Sequence, residues 1–189
     1  MNARKSVVRR SVGVIGASAL LIGGFLAASP AIAAEAPDSE QVSKLLSEAR
    51  AAAYQLKEDA ANMESFTRVD VSREGHAAAV NQIKDHVNAL ARITAKLKDA
   101  RGVASPWQKI AIDRINPFLD ELGGYTTAAI EHINGPQTNH TLAEYNDYLE
   151  ANADYSSDLA AMIAEFVDYG KAKHRMDRVG AKLEVPGEK

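Results

Sequence analysis

The chain has 189 residues, with 22 Lys or Arg against 25 Asp or Glu, five His and no Cys. The lack of Cys excludes thiol catalysis, thiolate metal sites, disulfides and covalently attached haem. The acidic balance, a formal net charge of −3, argues against a nucleic-acid binder, whose affinity rests on neutralising phosphates.

Residues 1–33 read as a secretory signal peptide. Arg4, Lys5, Arg9 and Arg10 form a charged start, Leu20, Leu21, Ile22, Phe25 and Leu26 centre an apolar run, and Ala31-Ile32-Ala33 fits the small-x-small cleavage rule. Its removal takes four basic residues and no acidic ones, leaving a net charge of −7. The product is expected to be exported, periplasmic or extracellular, and not an integral membrane protein once cleaved. Residues 34–38 read as a linker around Pro37.

Helix one is predicted over 39–66. Val42, Leu46, Ala49, Ala53, Leu56, Ala60 and Met63 step by four and three, a heptad-like seam widened by Leu45 and Ala52. Helix two is predicted over 73–100, capped by Ser72 and striped by Val80, Ile83, Val87, Leu90 and Leu97, with Gly102 ending it. Helix three, 106–134, has the sharpest start: Ser105-Pro106-Trp107-Gln108 joins an N-cap Ser, a Pro at the first position and a Gln that closes the box. Ala111, Ile115, Phe118, Leu119, Leu122, Ala129 and Ile133 give its apolar face. Pro117 is expected to point outward and bend one continuous helix rather than split it. Helix four, 142–178, opens on the capping box Thr141-Leu142-Ala143-Glu144 and buries Leu142, Tyr145, Leu149, Leu159, Ile163 and Phe166.

Matched lengths and short loops imply an all-α, up-down-up-down antiparallel four-helix bundle over 39–180, with 181–189 a flexible tail. Helix four is expected to overhang its partners by about two turns, at 3.6 residues per turn.

No chemistry-bearing motif stands out. No His follows an acidic residue by three positions, as di-iron bundles require, and there is no C-x-x-C-H or Gly-x-Ser-x-Gly. Four weaker features remain. Asn152 and Ser156 occupy core positions of helix four, level by length with His86 and Tyr54. They form either a polar layer that fixes register, with His86 the first partner for Asn152, or a small pocket. Tyr148, Tyr155, Met162, Tyr169 and Met176 repeat every seven residues along one edge, which either packs on a neighbouring helix or mediates oligomerisation through Tyr148, Tyr155 and Tyr169.

The third feature is charge. Lys96, Arg101, Lys109, Arg114, Lys171, Arg175 and Arg178 gather at one end of the expected bundle, and Glu58, Glu64, Glu74, Glu131 and Glu144 at the other. The last is a trio at the acidic end, His76, His132 and His140. Imidazole beside carboxylate suits a divalent transition metal such as zinc, copper or nickel, whereas separate histidines would simply titrate there. The resulting expectation is a non-catalytic binding or interaction module whose partner is a protein, an envelope polymer or a small ligand. The alternative is a metal- or haem-binding bundle.

Overall fold

The structure, a computed structural model, describes residues 36–135 and 143–183. The signal-peptide reading, His140, the Thr141 capping box and the last residues of the tail lie outside the described residues. Four helices account for most of what is described: α1 Glu40–Ser65, α2 Arg73–Asp99, α3 Pro106–Asn134 and α4 Ala143–Leu183. Short 3₁₀ turns, Phe66–Arg68 and Ala100–Val103, follow α1 and α2, and no strand occurs among the described residues.

The starts are chemical. Ser39 Oγ accepts the Val42 N–H of α1 and Ser72 Oγ accepts the Gly75 N–H of α2, each satisfying a backbone donor that the helix itself cannot. At α3, Gln108 Oε1 accepts the Ser105 N–H at 3.0 Å. The α3 helix runs unbroken through Pro117, which is exposed as its phase requires. It also runs through Gly123 and Gly124, where helical packing on both sides outweighs the weak propensity of two residues.

α1 and α3 each pack on both α2 and α4. The seam of α1 is buried in full, from Val42 to Met63, as are Val80, Ile83, Val87, Leu90 and Leu97 of α2. On α4, Tyr145, Leu149, Leu159 and Ile163 are buried, and Val167 and Gly170 carry the seam onward. Phe166 is only half-buried, on the flank toward α3.

One boundary differs from expectation. α4 continues to Leu183 instead of fraying after Arg178. Gly180 sits in helical backbone there, and Ala181, Lys182 and Leu183 are good helix formers, so one glycine does not stop the helix.

Axial register between helices is pinned at one end by Gln108, which is fully buried. Its Oε1 also accepts the Ser39 N–H at 2.9 Å, and its Nε2 donates to the Ser39 carbonyl at 2.9 Å and to Ser43 Oγ at 3.0 Å. One carboxamide thus uses both its donors and one acceptor position to tie the start of α1 to the start of α3, while the other acceptor position caps α3 itself. At the other end, Arg73 Nη2 and Nε donate to the Ile133 carbonyl at 2.7 and 3.1 Å, tying the start of α2 to the end of α3.

Candidate functional site

Of the expected histidine trio, His76 and His132 meet at an aromatic cluster. His76 is buried, and its Nδ1 lies 3.0 Å from the Tyr145 hydroxyl, within hydrogen-bonding distance. His132 stacks on the Tyr145 ring with centroids 5.0 Å apart, and Phe66 meets His76 edge-on at 5.4 Å. Burial pushes the Tyr145 phenol well above its usual value, so it stays a neutral hydrogen-bonding group. His76 and His132 are therefore brought together around one tyrosine ring. Among the described residues no group of three or more His, Asp or Glu is placed to hold a metal ion.

The polar layer has different members from those expected. Asn152 Oδ1 accepts from Thr126 Oγ1 at 2.8 Å, and its Nδ2 donates to the Tyr148 carbonyl at 2.8 Å. Its partner is thus α3, not His86 on α2. His86 is half-buried, with Nδ1 2.6 Å from Asp59 Oδ2 on α1. Tyr54 is exposed, under the Arg50 guanidinium at 5.7 Å from its ring. Ser156 is buried and donates to the Ala153 carbonyl of its own helix at 2.9 Å.

The tyrosine row lies along the α3–α4 seam, and most of it is spent on packing. Tyr148 meets His132 edge-on at 6.3 Å, and its hydroxyl donates to Glu144 at 2.6 Å, which raises its pKa above the usual tyrosine value. Tyr155 lies 5.5 Å from Tyr125 and 6.2 Å from Phe118. Met162 is buried. Only the lower end of the row is open. Tyr169 is 53% exposed and meets Trp107 edge-on at 5.4 Å.

Here α3 and α4 part into a cleft of about 410 Å³, lined by Trp107, Ile110, Arg114, Glu165, Phe166 and Tyr169. Its walls are mostly apolar, with one cation and one carboxylate at the rim. Arg114 lies over the Phe166 ring at 5.7 Å, a cation–π contact that holds the guanidinium at the mouth. Trp107, the chain's one tryptophan, forms the floor. Its Nε1 donates to Asp38 Oδ1 at 2.6 Å, and Gly170 lies so close that a Cβ there would be 2.8 Å from the ring. The other Asp38 oxygen faces Lys173 at 3.9 Å and His174 at 3.8 Å.

In the sequence Trp107 is legible only as part of a helix start, and Ile110 has no predicted role. The signal was present: Ile110 is a large apolar residue off the stripe of helix three, and it is 53% exposed. Chemically the cleft offers apolar and aromatic area with one anchoring charge of each sign, a set suited to binding.

Comparison of the chain with protein-family models, with curated proteins and with solved structures finds no match.

Proposed function

We propose that this chain is an exported, non-catalytic binding module, an up-down-up-down antiparallel four-helix bundle that acts in the periplasm or outside the cell. The observation that carries the binding role is the Trp107–Tyr169 cleft: half-exposed aromatic and aliphatic side chains held open between two packed helices. The antiparallel order is supported by the Gln108 clamp, which joins the starts of α1 and α3, and by the Arg50–Asp168 ion pair, which sets early α1 beside late α4. Export rests on the pattern of residues 1–33. Among the described residues no helix is long and apolar enough to cross a membrane.

A photo-crosslinking amino acid at Ile110 or Tyr169, introduced in the native host, tests this reading. Both positions should yield a common adduct that the same probe at exposed Asp85 on α2 does not. Adducts from all three positions alike, or from none, would refute the cleft as the binding surface.

A second reading, a divalent-metal site, is favoured by the meeting of His76 and His132 at Tyr145. It requires a further ligand, for which His140 is the candidate. Titration calorimetry with zinc, copper and nickel tests it, saturable binding lost in H76A/H132A being the result that supports it. An absorption spectrum of protein from the native host tests the haem variant of the same reading.

A further inference from the structure

Beyond the cleft, α4 projects past its partners. Near the base of this projection Gly170 lies against Trp107, and Lys173 and His174 approach Asp38. From His174 to Leu183 every residue is exposed except half-buried Gly180. This stretch is not uniformly polar. Tyr169, Ala172, Met176, Val179 and Leu183 follow a three-four spacing and therefore share one side of the helix. Met176 lies nine residues, or two and a half turns, after buried Val167, so this side faces away from the core. Met176 is 73% exposed and Leu183 66%.

The charges beside this ridge are of one kind. Residues 171–183 contain Lys171, Lys173, Arg175, Arg178 and Lys182 against a single acid, Asp177, which pairs with Lys173 at 3.3 Å. Helical phase puts Arg175 and Lys182 along one flank of the apolar ridge, with Lys171 and Arg178 behind them. The chain as a whole is acidic, so this basic end of α4 stands out against it.

We infer that the projecting end of α4 is a docking element for an anionic lipid surface, with Met176, Val179 and Leu183 entering the interface and Arg175, Arg178 and Lys182 meeting the headgroups. Three observations favour this occupant. Among the described residues the ridge stands exposed on a projecting helix end, which suits a flat interface better than a groove for a partner helix. Its flanking cations complement anionic headgroups, which draw basic residues to the surface. A second copy would instead bring two sets of these cations side by side, and like charges there oppose pairing. This inference is independent of the cleft reading, since the cleft and the projecting end involve different residues apart from Tyr169.

The lack of Cys makes the test direct. A Met176→Cys variant of the full chain, labelled with an environment-sensitive fluorophore, reports insertion at that position alone, whatever the leader does. An Asp85→Cys label on α2 serves as the control. With vesicles of equimolar phosphatidylglycerol and phosphatidylcholine, the label at 176 should shift to the blue and the label at 85 should not. The shift should disappear on phosphatidylcholine alone and in about 0.5 M salt, where screening is nearly complete over a few ångström. Combining the label with R175E/R178E/K182E should weaken vesicle binding by more than about tenfold. No shift on anionic vesicles, an equal shift on phosphatidylcholine alone, or an undiminished shift in the charge-reversed variant would each overturn the inference. A blue shift that grows with protein concentration without vesicles would overturn it in favour of a second copy.

Discussion

Gly170 is the position where one methyl group tests the packing most sharply. A Cβ there would lie 2.8 Å from Trp107 Cη2 and 3.0 Å from Cζ2. The ring has little room to retreat, because its Nε1 is bonded to Asp38 at 2.6 Å and only 8% of the residue is exposed. Two effects oppose each other in Gly170→Ala. Helix propensity favours alanine by about 1 kcal/mol. Overpacking costs about 1–3 kcal/mol, and moving the indole away also strains a hydrogen bond to a carboxylate worth roughly 1.5–3 kcal/mol. The expected net result is a loss of about 1–2 kcal/mol. Gly124→Ala isolates the first effect, since Gly124 lies in helix with nothing within 4 Å of the new Cβ. It should gain about 0.5–1 kcal/mol. The same substitution thus has opposite signs at two helical glycines. Urea unfolding followed by far-UV circular dichroism measures both, and the emission of Trp107 reports any shift of the indole. Gly170→Ala stabilising the protein as much as Gly124→Ala would refute the reasoning.

Three further predictions follow from the buried polar groups. Gln108→Leu removes four hydrogen bonds at the α1–α3 junction and leaves the buried Ser105 amide without its acceptor, so it should cost about 3 kcal/mol. Ser72→Ala at an exposed cap should cost only about 1 kcal/mol in the same urea unfolding; equal losses would show that the clamp is not holding the helices. Asn152→Leu should destabilise by about 1–2 kcal/mol by stranding Thr126, and adding Thr126→Val should recover part of that loss. Strict additivity in the double-mutant cycle would deny the pair. Tyr145 has a folded-state pKa raised by burial above the ordinary value of 10.0, so its contribution to stability is fully present below pH 10. As pH rises beyond that, the unfolded chain ionises before the folded one and the contribution is lost. Denaturation midpoints between pH 8 and 11 should therefore fall more steeply for the wild type than for Tyr145→Phe, and parallel curves would contradict the assigned cause.

Local pattern is enough to place the helices and to say which side of each faces inward. The α1 seam from Val42 to Met63 and the α2 stripe from Val80 to Leu97 are buried as their spacing requires, because the period of apolar residues encodes an angle about the helix's own axis. Ser72 and Ser105 marked two starts because a cap is a local interaction within three residues. What lies opposite each residue is set by the packing of one helix on another. Asn152 was legible as a polar residue in a core position, but its partner, Thr126 rather than His86, depends on the axial offset and rotation between two helices. Those are fixed by how side chains of different shape interdigitate, and no single helix's period contains them. For the same reason the sequence could place His76 and His132 at one end but not around the ring of Tyr145. Nor could it show that Gly170 is the notch for Trp107, since a glycine in a helical stretch reads locally as a weak point and becomes a packing site only when the neighbouring helix brings an indole against it.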